Sequence, residues 1–201
     1  MDRKRLDLEL ITSLVERKSR ILDVGCGSGE LLESLKKKRN IIGQGLELGQ
    51  ECVNQCVAKG LSAIQGDADK DLSLYPDQSF DCVILSQTIQ ATSHPDVILK
   101  ELIRIGKKAI VSIPNFGYWR VRLSLGFYGK MPITKRLSNS WFNTPNIHLC
   151  TILDFINLCD QLNIEIEKTI TLSSKNTKSY NGLPNKLSNL LSEEAIFIIK
   201  A

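Results

Sequence analysis

The sequence of 201 residues has no apolar run long enough to cross a membrane. Runs such as AIVSI and CVIL have the length of single β-strands, whereas a membrane-spanning helix needs about 20 apolar residues. The first residues, MDRKRLDLELITSLVERK, are charged throughout and contain no apolar signal-peptide core. These absences argue against a membrane protein and a secreted protein, and we expect a cytoplasmic location.

Histidine is scarce, and paired cysteine motifs are absent. The histidines are His94 and His148, and the six cysteines include no CxxC pair. Cys52 and Cys56 lie four positions apart on a predicted helix, but no second pair of ligands stands near them to complete a metal site. We therefore expect small buried thiols and no metal site.

Neither sign of charge dominates the chain. It contains 26 basic and 22 acidic residues, which gives a net charge of +4. A mildly basic chain permits an acidic partner without requiring one. Hydrophobic residues at 42% and charged residues at 24% are ordinary values for a globular protein, and a chain of this length is most simply one domain.

Short apolar runs alternate with helical patterns through the first half of the chain. This alternation predicts parallel strands joined by crossover helices. Two later apolar runs, IEIEKTITL and EEAIFIIK, are separated only by a polar loop and should pair antiparallel at one edge of the sheet. We therefore expect a doubly wound α/β domain over residues 1–201. It should have a mostly parallel seven-stranded sheet, helices on both faces and a C-terminal antiparallel hairpin.

The stretch ILDVGCGSGELL, residues 21–32, places three glycines between a strand and a helix. Glycine at such a junction permits positive φ angles and lets the backbone approach a ligand closely. The turn lacks the Gly-Lys-Ser/Thr of a phosphate-binding loop, and Glu30 occupies the third glycine position of a dinucleotide-binding turn. The pattern favours a ligand with a cationic end and no phosphate.

Acids at the ends of three successive predicted strands fit S-adenosylmethionine. Asp23 can face the ligand ammonium, Glu47 can accept both ribose hydroxyls, and Asp67 can meet the adenine amino group. The carboxyl ends of parallel strands share one edge of the sheet, so these acids should share one pocket. The predicted cofactor-binding residues are Asp23, Gly25, Cys26, Gly27, Gly29, Glu47, Leu48, Asp67, Ala68 and Ser86.

A later stretch, from Phe116 to Phe142, interleaves basic and aromatic residues. Its members are Arg120, Arg122, Lys130, Lys135 and Arg136 with Tyr118, Trp119, Phe127, Tyr128, Trp141 and Phe142. A protein interface, a lid over the pocket and a nucleic-acid surface all fit this pattern, the last least well because basic charge does not dominate the chain. We expect an inserted lid or interface segment over residues 116–150, in which Trp119, Arg120 and Arg122 bind a partner.

The sequence offers few groups for catalysis. It has no Pro-Pro-aromatic motif after the fourth predicted strand and no Pro-Cys dipeptide, which argues against two kinds of DNA methyltransferase. Methyl transfer needs mainly positioning, with a general base only where the acceptor carries a proton. The candidate catalytic residues are His148 and Tyr118, and Ser86 and Gln87 could help to seat an acceptor.

The motifs LDVGCGSG, LEL, QGDAD and FDCVILSQ resemble the cofactor motifs of the Class I, Rossmann-like S-adenosylmethionine-dependent methyltransferases. The runs LSQTIQA, PNFGYWRVR and TPNIHLCT are more specific, and with them the chain closely resembles the MetW family of methionine-biosynthesis proteins. That resemblance implies a role in making O-acylhomoserine, in partnership with a homoserine O-acetyltransferase of the α/β-hydrolase type. The alternative is an active methyltransferase on an unidentified small molecule.

Overall fold

The structure is a computed structural model that describes residues 6–134, 137–173 and 176–201. Within these ranges the strands are β1 (Arg20–Val24), β2 (Ile42–Glu47), β3 (Ser62–Gln65), β4 (Cys82–Ser86), β5 (Ala109–Pro114), β6 (Glu165–Leu172), β7 (Thr177–Asn181) and β8 (Glu194–Lys200). The helices are α1 (Leu6–Leu14), α2 (Glu30–Arg39), α3 (Gln50–Ala58), α4 (Ala68–Asp71), α5 (Pro95–Ile105), α6 (Trp119–Tyr128), α7 (Ile152–Gln161) and α8 (Ser188–Leu191). Short 3-10 helices cover Leu72–Leu74 and Ile89–Ala91.

All the described strands belong to one sheet, in the order β3-β2-β1-β4-β5-β8-β6-β7. The first five strands run parallel, because a segment containing a helix links each of them to the next. Strand order reverses between β1 and β4, and a crevice opens beyond the carboxyl ends of strands at such a switch point. The predicted doubly wound α/β fold is confirmed, and its crevice lies where the glycine turn begins.

Helices cover both faces of the sheet, so the central strands are apolar on both sides. β5 is buried along its whole length, as expected for a strand enclosed by two layers of helices. On one face, Phe155 of α7 stacks on Phe197 of β8 with ring centroids 4.3 Å apart. On the other face, α1 and α2 bury Ile11 and Leu35 in a second cluster. None of the helices in the described ranges is long and apolar enough to span a bilayer.

The sheet has eight strands where the sequence predicts seven. The additional strand, β7, lies within the polar loop, pairs antiparallel with β6 and forms the edge of the sheet. Its sequence, TKSYN, is exposed on both faces and therefore lacks the apolar alternation that identifies a strand. The predicted antiparallel pair, β6 with β8, is present, but β8 lies inside the sheet between β5 and β6.

Asn115, directly after β5, joins three parts of the chain. Its Nδ2 donates hydrogen bonds to the carbonyl oxygens of Asn189 and Ser192, at 2.8 and 2.7 Å. Its Oδ1 accepts from the N–H groups of Gly117 and Ile152, at 2.9 and 3.3 Å. The side chain is buried, so these bonds are shielded from water. They fix the start of segment 116–150 against α7 and the approach to β8.

We expect Asn115→Asp to lower the free energy of unfolding by about 2–4 kcal/mol, because a carboxylate cannot donate to the two carbonyl oxygens and places a buried negative charge beside them. Urea denaturation at pH 7 measures the change. Asn54→Asp, on the exposed side of α3, is the matched control and should change the free energy by less than about 0.5 kcal/mol. Equal effects of the two substitutions would contradict the role given to Asn115.

Candidate cofactor site

The turn between β1 and α2 holds its three glycines in the left-handed region. Gly25, Gly27 and Gly29 have φ angles of 71°, 52° and 79°, which side chains with a Cβ rarely adopt. A Cβ on Gly25 would also lie 2.6 Å from Oγ1 of Thr88, so the turn packs directly against the chain after β4. Both constraints require glycine, and the predicted turn geometry is present.

Glu47, at the end of β2, holds this turn through its carboxylate. Its Oε2 accepts a hydrogen bond from the N–H of Gly27 at 2.8 Å, and its Oε1 accepts from the N–H of Gly49 at 3.0 Å. A carboxylate has about four acceptor positions, so each oxygen can accept one further bond. Glu47 can therefore fix the turn and still accept hydrogen bonds from a ligand.

Asp23 lies near the end of β1, and only 2% of its surface is exposed. Burial raises the pKa of its carboxyl to about 8, with a further contribution from the nearby Glu47 carboxylate. At neutral pH the carboxyl is therefore mostly protonated in the free protein. A cation placed beside it would favour the ionised form.

A cavity of about 150 Å³ opens beside Asp23 and the glycine turn. It is lined by Leu8 of α1, by Asp23, by residues 25–28 of the turn, by Glu30 and Leu31 of α2 and by Ser86 at the end of β4. The predicted residues at the ends of β2 and β3 do not line it. Oγ of Ser86 lies 3.1 Å from Oγ of Ser112 on β5, which orients the serine at the cavity wall. The structure thus brings the predicted residues of β1, the turn and β4 to one cavity.

Two of the predicted turn residues support the turn from the protein side. The N–H of Gly29 donates to the carbonyl oxygen of Cys26 at 3.0 Å. Sγ of Cys26 lies 4.0 Å from Sγ of Cys56 beneath the turn, and both thiols are buried. Cys52 is half-buried, and the described part of the chain contains no cluster of three metal-ligating side chains.

The predicted adenine-binding residues follow β2 and β3. Asp67 accepts a hydrogen bond from the N–H of Asp69 at 3.0 Å and lies 2.9 Å from Nζ of Lys70, which lowers the pKa of the Asp67 carboxyl. Ala68 begins α4 and packs against the core. Leu48 exposes 68% of its surface, so a large apolar side chain stands uncovered beside Glu47 and could lie against a flat ring.

Two buried polar atoms near the end of β4 have no hydrogen-bond partner among the described residues. Nε2 of Gln90 donates to the carbonyl oxygen of Gln87 at 2.7 Å, which leaves Oε1 of Gln90 unpaired. The carbonyl oxygen of Gln90 accepts from the N–H of His148 at 2.9 Å, and Nε2 of His148 is the second unpaired atom. Such atoms in a native protein indicate a place for water or a ligand.

The remaining candidates lie in segment 116–150. Tyr118 is buried, and burial raises the pKa of its phenol above the usual value. Trp119 is 37% exposed, and the guanidinium carbon of Arg120 lies 5.2 Å from the centroid of its ring. Nε of Arg122 donates to the carbonyl oxygen of Gly117 at 2.6 Å. Lys135 and Arg136 lie outside the described residues.

Sequence reasoning named Gln87 but missed Gln90 and the contact between Gln87 and the buried Glu194. Nε2 of Gln87 donates to Oε1 of Glu194 at 2.7 Å, although the two residues are 107 positions apart in the chain. Gln87 also has a φ of 54°, an uncommon value for a residue other than glycine. The sequence contained one signal for this contact. Glu194 is an acidic residue at the start of the otherwise apolar run EAIFII.

Solved structures define the class of protein to which this fold and crevice belong. An S-adenosylmethionine-dependent methyltransferase from Archaeoglobus fulgidus matches with a TM-score of 0.64 at 18% identity, over 100% of this chain and 97% of that one. Another from Thermotoga maritima matches with a TM-score of 0.67 at 18% identity, over 98% of this chain and 88% of that one. The chain therefore has the fold of the S-adenosylmethionine-dependent methyltransferases.

Sequence comparison narrows this class to one family. A family model described as methionine biosynthesis protein MetW matches residues 5–199. A bifunctional methionine biosynthesis protein MetXA/MetW from Rhodopirellula baltica is 33% identical over 174 residues, which cover 82% of this chain. The chain belongs to the MetW family. It spans 28% of the length of that relative and about half the length of other curated relatives that it matches.

The buried carboxyl of Asp23 should make stability depend on pH. Its pKa is about 8 in the fold against a usual value of 3.8, so the folded protein holds this proton more tightly than the unfolded chain. The free energy of unfolding should therefore fall as pH rises from about 4 to about 8. Asp23→Asn, which has the same shape and no proton to lose, should remove this part of the dependence.

Chemical denaturation between pH 5 and pH 8.5 measures the free energy of unfolding of the unmodified protein and of Asp23→Asn. Asp81→Asn is the control, because the backbone N–H of Arg20 and the ammonium of Lys107 lower the pKa of that carboxyl, and it should leave the slope above pH 5 unchanged. Equal slopes for Asp23→Asn and the unmodified protein would contradict the buried, protonated state.

Proposed function

We propose that this chain binds S-adenosylmethionine at the glycine turn and supports the acylation of homoserine by a homoserine O-acetyltransferase. The partner is inferred from the relative from Rhodopirellula baltica. In that relative, a part similar to this chain belongs to a longer protein whose name contains both MetXA and MetW. Fusion holds two modules at a high effective concentration, which benefits modules that act on each other. We infer that this chain likewise acts together with a homoserine O-acetyltransferase.

The charges at the crevice support the choice of ligand. Asp23 would take the ammonium, because a cation relieves both its burial and its repulsion by Glu47. Glu47 would accept hydrogen bonds from the ribose hydroxyls while its bond to Gly27 keeps the turn in place. None of the described residues that line the cavity is basic, which suits a ligand without phosphate.

The adenine end would rest on the neighbouring strand ends. Asp67 would accept a hydrogen bond from the adenine amino group, and Leu48 would cover the ring with a side chain that is otherwise exposed. Gly25, Gly27 and Gly29 allow the backbone to approach the ligand without a Cβ in between. When bound, S-adenosylmethionine supplies a cationic sulfonium with an activated methyl group.

A second candidate function is methyl transfer to a small molecule. The observation that favours it is that two buried side-chain atoms, Oε1 of Gln90 and Nε2 of His148, have no hydrogen-bond partner among the described residues, while the backbones of these two residues are hydrogen-bonded. A hydroxyl or amine placed there could donate to Gln90, and His148 could accept its proton. Formation of S-adenosylhomocysteine from S-adenosylmethionine and a cell-metabolite extract would favour this candidate, and its absence would argue against it.

We expect the acetylation of homoserine to become faster when this chain is added. The assay uses homoserine O-acetyltransferase from the same organism with acetyl-CoA and homoserine, and the rate should rise with this chain until it saturates. An unrelated protein of methyltransferase fold at equal concentration is the control. An unchanged rate together with no complex in gel filtration would overturn the proposed partnership.

We expect S-adenosylmethionine binding at pH 6.5 to release close to one proton to the buffer, because the ligand ammonium ionises Asp23. Calorimetry in two buffers with different protonation enthalpies measures that proton. Asp23→Asn should abolish the release and weaken binding by about 1–3 kcal/mol, whereas Asp81→Asn should change neither. A lack of heat and of any thermal shift at millimolar ligand would contradict the proposed site.

A further inference from the structure

We propose that segment 116–150 is a docking surface for a protein face that is apolar at its centre and acidic around it. This inference rests on the proposed function, because the face is assigned to the acetyltransferase. It goes further in naming which part of this chain makes the contact, and by what chemistry.

The segment exposes many large apolar side chains. Phe127, Tyr128, Trp141 and Phe142 each expose between 74% and 79% of their surface. Other large apolar side chains exposed in the same segment are Leu123, Leu125, Met131, Ile133, Ile147 and Leu149. Isolated exposed apolar residues are normal, but many of them on one segment mark an interaction site.

These exposed side chains are not needed to hold the segment in place. Tyr118, Val121 and Leu137 pack into a small cluster of their own and are almost fully buried. The N–H groups of Ile147 and His148 both donate to the carbonyl oxygen of Gln90, which ties the later part of the segment to the chain after β4. The N–H of Phe116 donates to the carbonyl oxygen of Cys150 at 3.1 Å, so the two ends of the segment meet. The exposed aromatic residues therefore belong to a segment that other contacts already hold in place.

The charge of the segment has one sign. None of the 22 acidic residues of the chain lies between positions 116 and 150, whereas the basic residues there are Arg120, Arg122, Lys130, Lys135 and Arg136. The net charge of +4 is thus concentrated in this one segment. Complementary potentials guide and select partners at interfaces, so the face that docks here should be acidic.

The arrangement of the basic residues favours a protein over a nucleic acid or a lipid surface. The guanidinium of Arg120 lies over the Trp119 ring, and Nε of Arg122 donates to the Gly117 carbonyl, so both cations are engaged within the segment. On α6, exposed arginines stand among exposed apolar residues, and no broad apolar face is separated from the charges as a membrane-surface helix requires. Aromatic residues, methionine and arginine are the types enriched in protein interfaces.

The geometry also separates contact residues from supporting ones. Arg122 holds the start of α6 through Gly117 and acts as a positioning residue. Phe127 and Trp141 have no comparable internal role, because about three quarters of each side chain is exposed. Binding energy at interfaces concentrates in a few large aromatic and arginine residues, so this exposed set should contain the dominant contacts.

The test measures the affinity of homoserine O-acetyltransferase for the full chain and for two double variants. Phe127→Ser with Trp141→Ser should weaken binding by at least about ten-fold. Leu74→Ser with Leu183→Ser changes two exposed apolar residues outside the segment and should leave affinity within about two-fold. Melting temperature and S-adenosylmethionine affinity should stay unchanged in both, and Tyr128→Ser with Phe142→Ser gives an independent second pair.

The outcomes separate this inference from the function on which it rests. If the unmodified chain binds the acetyltransferase and all the variants bind equally well, the docking surface is overturned while the partnership stands. If the unmodified chain does not bind at all, the partnership fails and the assignment falls with it. The test also measures binding of the unmodified chain and the variants to vesicles of phosphatidylcholine and phosphatidylglycerol and to a 30-nucleotide RNA. Loss of binding to either of these in the segment variants, with acetyltransferase binding intact, would overturn the proposal in favour of that surface.

Discussion

The Glu47 carboxylate accepts hydrogen bonds from the backbone N–H groups of Gly27 and Gly49, and through them it joins the glycine turn to the end of β2. A turn with three glycines loses much conformational freedom when it folds, so a fixed contact is needed to select one conformation. Once the turn is selected, Asp23 lies behind it and Ser86 beside it at the same cavity. The conformation of the candidate site therefore depends on the Glu47 side chain.

The same carboxylate makes the free site electrostatically unfavourable. Glu47 adds to the burial that raises the pKa of Asp23, and no basic residue among those described lines the cavity beside Asp23. A cationic ligand relieves this arrangement, whereas a phosphate would aggravate it. In the proposed site, the acids would select the charge of the ligand and the glycines would admit its shape. In sequence, segment 116–150 has the opposite balance, with five basic residues and no acidic residue.

Sequence patterns predicted those parts of the structure that short stretches of the chain determine. The apolar runs identified the parallel strands because β4 and β5 are buried on both faces. Asp23, Glu47 and Asp67 could be located because each lies at the end of a strand or just after it. β7 was missed because TKSYN is exposed on both faces. The Gln87–Glu194 contact and the four bonds of Asn115 join distant positions, and no short window of sequence carries that information. Residues 119–125 alternate apolar and basic side chains, and only Val121 of α6 is buried, so their conformation depends on packing rather than on pattern.

A crystal structure of the chain with S-adenosylmethionine bound tests the central claim most directly. The account predicts an Asp23 oxygen within about 3 Å of the ligand ammonium and the Glu47 oxygens at the ribose hydroxyls, with the bond from Gly27 to Glu47 retained. A ligand bound away from the glycine turn would contradict the account. A Glu47 side chain turned out of the crevice, with the turn in another conformation, would contradict it equally.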